Sequence, residues 1–595
     1  MNILGLSCYY HDSAAALLSD GRLVAAAQEE RFSRIKNDEG FPRRAISFCL
    51  SRAGIEAADL DCVVFYEKPL VKFERILTSS LATFPMSRKS FTEAMVNWFD
   101  QKLWIKSHIQ RELGIDPGRI MFVDHHVAHA ASALFSSPFH DEDTALLTID
   151  GVGEWTTTAS GVGRNSRAAD CGSWIRLDRE HRFPHSIGLL YSAFTAFLGF
   201  QVNEGEYKVM GMAPYGEPRF RDLILDRIVR IHRDGSFTLD MDYFEYHRSA
   251  GRSFSHRLVD LLGEPRRPEA PFITVMTDPG TASPSDPAVK SSQHYADVAA
   301  SIQKVTEELI LGLAGKLRED TGARTLCMAG GVALNSVANG IVQREAGFDE
   351  VFIQPAAGDA GGALGAALYA WQVIFGKPSA FVMENAYWGA EYSDSETAAS
   401  LRESGLPFTE MDEDALIDRT VDALIGGAVI GFHQGRFEWG PRALGNRSIL
   451  ADPRDAAMKD TINRKIKFRE PFRPFAPVLA EEDAPVYFEE FDGSKLNYPA
   501  RFMLTVHPWR QEHADLAPAV NHMGTGRLQT VRRDWNPRYS EVIRRFGEAT
   551  GARVIVNTSF NLRGEPIVSS PSDALKTFMA SGIDNLAMGG FWVSK

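Results

Sequence analysis

Apolar residues at the start of the chain fall in three short runs, at 2–7, 14–18 and 23–26, and the last two flank Ser19-Asp20-Gly21. Short apolar runs on either side of Asp-Gly predict a β-hairpin. The polar insert between the first two runs, Tyr9-Tyr10-His11-Asp12-Ser13, is then a loop at a strand end. His11 and Asp12 in that loop either face a ligand or are ordinary turn residues. A helix is expected over residues 41–54 and a strand over 62–66. Residues 70–113 read as helical, with Trp98, Phe99 and Trp104 expected to pack inward. A strand over 120–123 leads into DHHVAHAASA at 124–133, an alanine-rich helix. Its 3.6-residue period sets His125 and His129 on one face and turns His126 away.

Strands are predicted at 145–149 and 156–162, a helix at 186–200, and an irregular Pro-, Arg- and Asp-rich insertion, readable as a lid, at 220–291. A long amphipathic helix over 292–321 precedes two strand–glycine–helix units, one carrying AGGVALN at 329–335 and one GDAGGALGA at 358–366. Repeated βα units mean an α/β fold with ligands gathered at the C-terminal ends of the strands. A boundary is expected at 376–385, giving domains of 1–378 and 379–595. The second holds strands at 428–432 and 553–556.

With 595 residues the chain should form more than one domain, and its formal net charge of −13 argues against nucleic acid as the main ligand. Cys8, Cys49, Cys62, Cys171 and Cys327 are scattered without a CxxC pair, which fits reduced thiols. No apolar run is long enough to span a bilayer and no leader pattern opens the chain, so a cytoplasmic enzyme without a membrane partner is expected.

The candidate chemistry has two centres. His125, His129, Asp150 and Asp359 all sit at predicted element ends, and a two-His, two-carboxylate set suits a borderline divalent metal. Each has a plainer reading: HxxxH alone also occurs on helices without metal, and Asp359 also reads as a helix N-cap. The glycine turns at Gly330-Gly331 and 359–362 let backbone N–H groups approach a nucleotide, and no GxxxxGK[ST] loop is present. The second centre lies between Arg436 and Arg473, where ten Lys/Arg stand against five Asp/Glu in an acidic chain. Pro and Phe packed among these cations predict a rigid pocket for phosphates, with nucleic-acid backbone as the rival target. Thr525-Gly526-Arg527 and Asn557-Thr558-Ser559-Phe560-Asn561 add a cation and small polar donors.

The motifs HHVAHA, DGVGEW, NEGEYKVMG, AGGVALN, GDAGGALGA, GRFEWGPRALGNRSIL, KIKFREPFRPFAP, TGRLQTV and NTSFN together resemble the NodU/CmcH carbamoyltransferase family over nearly the whole chain. The resemblance implies an N-terminal actin-like ATPase domain, similar to TsaD, and a C-terminal YrdC-like α/β domain. It implies that the C-terminal domain makes carbamoyl-adenylate and pyrophosphate from carbamoyl phosphate and ATP. The N-terminal domain would then pass the carbamoyl group to an acceptor hydroxyl and release AMP. By position it implies metal ligands at His125, His129, Asp150 and Asp359, with iron(II) expected or another divalent ion, and Mg2+ accompanying ATP. His11 is implied as base for the acceptor hydroxyl. Arg442, Lys467, Arg473, Arg527, Ser559 and Asn561 are implied for the C-terminal pocket, with Arg442 and Lys467 catalytic. Lys208, Gly330, Gly331 and Asn335 are expected on the nucleotide side. The acceptor is a hydroxylated small molecule of unread identity, and a homodimer is compatible with the chain. Rivals are a threonylcarbamoyl-type tRNA-modifying enzyme, a hydrogenase-maturation carbamoyltransferase, whose paired CxxC motifs are missing, and a non-enzymatic ATP-binding sensor of actin-like fold.

Overall fold

A computed structural model describes residues 1–100, 102–168, 172–249, 251–278, 280–491 and 496–595. Cys171 lies outside the described residues, as do Gln101, Ala250 and Pro279 within two of the stretches read above.

The early apolar runs become a five-stranded sheet. Asn2–Ser7 pairs antiparallel with Ala14–Ser19, which continues to Arg22–Gln28, and parallel with Cys62–Phe65 and then Ile120–Phe122. The Asp-Gly hairpin forms as read, with Asp20 at φ 47° and Gly21 at φ 78°. In a second five-stranded sheet Asp143–Ile149 takes the equivalent place. It is antiparallel to Thr156–Arg164 and then Trp174–Arg182 on one side, and parallel to Thr325–Ala329 and then Glu350–Ile353 on the other. One order, three antiparallel strands followed by two parallel ones, is therefore used twice. This is the duplicated α/β core that an actin-like fold requires.

Two helices exchange partners between the halves. His125–Leu134 follows the first sheet but packs against the second, whereas Asp359–Tyr369 follows the second and packs against the first. They cross at close range because both are built of Ala, Gly and Ser, and a Cβ at Gly365 would collide with the Ala128 carbonyl. The C-terminal region is an eight-stranded mixed sheet in the order Phe408–Glu410, Phe591–Ser594, Asn585–Met588, Ile430–His433, Arg447–Ala451, Ile555–Ser559, Ala476–Ala480, Gln529–Val531. Separate apolar clusters cover its two faces. Phe437, Trp439 and Tyr498 are built into the core of the first N-terminal sheet, and Leu444, Phe472 and Phe502 into that of the second. The two regions thus meet through shared packing.

Three expectations need correction. Trp98 is buried at 4% exposure, but Phe99 and Trp104 are 59% and 55% exposed, because the helical stretch breaks into separate turns at 83–87 and 102–104. The stretch 220–291 holds more order than its composition announced. It contains helices Arg221–Arg227 and His256–Leu262 and a hairpin of Val229–Ile231 with Phe237–Leu239, and it buries Phe237, Phe244, Leu258 and Phe272. The long helix starts earlier, at Pro287, where Asp286 accepts a hydrogen bond from Ala288 N at 2.7 Å. The four described cysteines are free and buried. Among the described residues no helix is long and apolar enough to cross a membrane.

Candidate active site

The His125–Leu134 helix sets the Nε2 atoms of His125 and His129 3.1 Å apart. Asp150, at the end of its strand, brings Oδ2 to 2.9 Å from His125 Nε2 and 3.7 Å from His129 Nε2. Asp359 is the first residue of its helix, with Gly358 as N-cap, so its carboxylate is free to reach across the interface. Its Oδ1 lies 3.4 Å from His129 Nε2 and 3.7 Å from His125 Nε2. One ligand atom from each of the four residues lies within 4.8 Å of the others, and all four residues are buried.

Two imidazole nitrogens facing one another cannot both carry a proton, and Asp359 Oδ1 is buried without a hydrogen-bond partner. No Lys or Arg pairs with either carboxylate among the described residues. The cluster therefore presents lone pairs that a divalent cation would satisfy. Burial pulls His129 down, but Asp150 and Asp359 outweigh it and push it up to about 9. The Nδ1 atoms of both histidines have no acceptor, so the rings are oriented by packing. His126 is occupied elsewhere: Nδ1 lies 2.7 Å from Thr148 Oγ1 and Nε2 2.9 Å from the Thr156 carbonyl. Burial pushes it down to about 3, so it is neutral, donating to the carbonyl and accepting from the hydroxyl.

The AGG turn serves Asp150. Gly331 N–H donates to Asp150 Oδ1 at 3.0 Å, and Gly330, at φ 96°, fits where a Cβ would strike the Ile149 carbonyl. Asn335 caps the Ser336–Glu345 helix, accepting from Ala338 N at 3.1 Å, and pairs with Gln303. Glu154, passed over in the sequence reading although its motif was quoted, accepts from the backbone N–H of His125 at 3.0 Å and of Lys68 at 2.8 Å. It therefore fixes the start of the histidine helix. His11 reaches the cluster from the first loop, with Nδ1 3.0 Å from Asp12 Oδ2 and Nε2 3.9 Å from Asp359 Oδ2. Burial lowers its affinity for a proton, yet Asp359 and Asp12 prevail and push it up to about 9.

The C-terminal cations divide into two groups. Arg436 and Arg447 spend their donors on backbone carbonyls, those of Gly389, Trp388 and Val24, and of Ser569, Gln434 and Asn446 respectively. They hold the loop together. Arg442, Lys467, Arg469, Arg473 and Arg527 line a cavity. Burial pushes Arg442 down to about 10, and burial with neighbouring cations holds Lys467, Arg469 and Arg527 well below their ordinary values. Lys467 Nζ donates only to neutral acceptors: the Ser559 carbonyl and Oγ, and Asn561 O and Oδ1 at 3.0 and 2.9 Å. Arg442 Nε and Arg527 Nε are buried without partners. Glu565 lies near Lys467, and Glu470 is 3.6 Å from Arg473 and held at 2.9 Å by Lys208 from the N-terminal region. Lys208 thus bridges the two regions, and Tyr207 beside it lies under the Arg473 guanidinium at 4.6 Å. Arg469, one of the ten clustered cations but not singled out for the site, is turned inward because Phe468 takes φ 46°. That left-handed residue lets cations on both sides of it face the cavity.

One cavity of about 1390 Å³ reaches both centres: the C-terminal cations line it together with His11, Lys208, Gly331 and Asn335, but of the His/Asp cluster Asp150 alone is among the lining residues, with His125, His129 and Asp359 buried behind it. Gly330 precedes the lining residue Gly331 but is not itself among the lining residues. Comparison with known proteins places the chain. A model of the carbamoyltransferase N-terminus matches residues 2–368, and one of the carbamoyltransferase C-terminus matches 421–595. The protein sll1178 of Synechocystis sp. is 43% identical over 100% of this chain and 97% of its own length. The nodulation protein NolNO of Sinorhizobium fredii is 37% identical over 99% of this chain and 79% of its own. The 3'-hydroxymethylcephem-O-carbamoyltransferase of Amycolatopsis lactamdurans is 32% identical over 50% of this chain and 54% of its own.

Proposed function

The chain belongs to the carbamoyltransferase family, and we propose that it is an ATP-dependent O-carbamoyltransferase using the two ends of its cavity in sequence. At the cationic end, carbamoyl phosphate and ATP give carbamoyl-adenylate and pyrophosphate, and balance requires one water in and one inorganic phosphate out. Arg442, Lys467, Arg469, Arg473 and Arg527 hold the two anionic substrates together and spread charge at the reacting phosphorus. Ser559 and Asn561 orient Lys467. At the other end the acceptor hydroxyl attacks the carbamoyl carbon and AMP leaves. His125, His129, Asp150 and Asp359 would hold a divalent metal there, iron(II) being the family's expectation, and when bound it supplies Lewis-acid polarisation of a carbonyl oxygen. His11 is the base for the hydroxyl proton. Asp12 and Asp359 keep it protonated when no cation balances their charge, so it accepts a proton only once that field is neutralised. A labile mixed anhydride survives best on an enclosed path.

The observation carrying this reading is the single cavity in which Asp150 and His11 line one end and the C-terminal cations the other. The acceptor class follows the cephem enzyme in being a hydroxylated small molecule. The reading is tested by incubating the protein with ATP, carbamoyl phosphate and a panel of hydroxylated natural products. AMP and pyrophosphate should accumulate alongside a carbamoylated acceptor seen by mass spectrometry. ADP in place of AMP would overturn the adenylate route.

A further inference from the structure

The loop that carries His11 is strained. Tyr9 and Asp12 take φ of 69° and 56°, a conformation unfavourable for residues other than glycine. The loop is pinned from outside, with Tyr9 N–H donating to the Glu39 carbonyl at 2.7 Å and Ser13 N–H to that of Asp38 at 2.9 Å. The outcome is that two consecutive rings, Tyr10 and His11, both line the cavity, with centroids 4.6 Å apart. Lys72 lies against Tyr10, its Nζ 4.7 Å from the ring centroid. Lys72 is paired with Glu67 at 2.6 Å, and the side chains are only 6% and 5% exposed. Burying such a pair gains little over apolar packing, and neither the adenylation nor the transfer step described above uses it.

We propose that Lys72 and Tyr10 are positioning residues for the acceptor step: the ammonium group, fixed by Glu67, clamps the Tyr10 ring, which holds the His11 imidazole in place. Asp12 restrains Nδ1 within the ring plane, and Tyr10 restrains the plane itself. A desolvated cation over an aromatic face is a strong local restraint. The inference rests on the reading that His11 acts on the acceptor.

The test labels full-length, metal-loaded protein with diethyl pyrocarbonate and follows the His11 peptide by mass spectrometry. Removing both charges together in the Glu67→Gln, Lys72→Met variant avoids stranding a buried ion. His11 labelling should quicken on the order of tenfold there and in Tyr10→Leu, while Lys72→Arg, which keeps a cation on the ring, should match wild type. Carbamoyl-phosphate-dependent ATP–pyrophosphate exchange, which reads the far end of the cavity, should be unchanged in all three. Wild-type labelling with intact exchange overturns the clamp. If the double variant also loses exchange, Tyr10→Leu decides, because its ion pair remains: an unchanged His11 rate there overturns the clamp equally. Full carbamoyl transfer in His11→Asn, alongside quickened labelling in the clamp variants, would leave the clamp standing and remove the role of His11.

Discussion

The two ends of the cavity are opposites built on one device. At one end Asp150 and Asp359 face histidines and no strong cation, and a carboxylate oxygen has no partner. At the other, five Lys/Arg side chains outnumber the carboxylates beside them, Glu470 and Glu565, and two guanidinium nitrogens have no partner. Both ends are buried, so solvent compensates neither charge fully, and on the proposed function each would be completed by a ligand of the opposite sign. An acidic chain can hold a strongly positive pocket because the cations are gathered at one place and turned inward. Net charge describes the outside of this molecule, and site chemistry is set by which side chains the fold removes from water.

Separating the ends by mutation is the most direct way to break the comparison. His129→Ala should abolish tight divalent-metal binding and lower carbamoyl transfer by about 10³-fold or more. It should spare carbamoyl-phosphate-dependent pyrophosphate exchange, with metal content and the two half-reactions measured separately. Lys467→Ala should do the reverse, costing about 10²–10³-fold in exchange while the bound metal remains. Loss of both half-reactions in either variant would show the ends to be one site.

The sign of the charge is sharpened by pH. Burial pushes Arg442 down to about 10, so the folded state carries its cost fully below that pH and sheds it as pH rises toward the ordinary arginine range. An anion in the pocket favours the charged form. Inorganic phosphate affinity, read by calorimetry, should therefore be flat with respect to Arg442 below about pH 10 and fall by about tenfold per unit above it. The smallest effect concerns the histidine that stays out of the cluster. Thr148→Val removes the donor to His126 Nδ1 and should cost about 1–3 kcal/mol in urea unfolding while leaving metal affinity unchanged.

Much of the site was legible because local chemistry wrote it. An HxxxH spacing faces one way on any helix, Asp at a strand end before glycine points at a ligand, and Asp-Gly between apolar runs turns a hairpin. Cations lodged among Pro and Phe cannot all face water. Where reading failed, long-range contact decided. Phe99 and Trp104 are expected to pack inward, but Phe99 meets the Phe73 ring and Trp104 the Phe99 carbonyl, and both stay more than half exposed. Residues 220–291 lack period because their elements are short and their apolar side chains join a core shared with distant segments, Phe237 on His181, Phe254 on Phe197 and Phe272 on Phe472. Glu154 gave no signal of its own, since it acts through a backbone N–H, and Arg469 was visible only as one of the ten clustered cations, its direction being set by the left-handed turn at Phe468.

The sequence alone determined the α/β class, the two sets of reactive residues and their charges, because periodicity and side-chain type are properties of neighbours along the chain. Only the tertiary structure decided that Asp359 joins His129 from 230 positions away (359 − 129). Only there do Arg436 and Arg447 become clamps on carbonyls while Arg442 between them faces a cavity that also reaches Asp150 and His11. Those outcomes depend on which backbones approach closely enough to exclude water, and that is fixed by packing across the whole molecule.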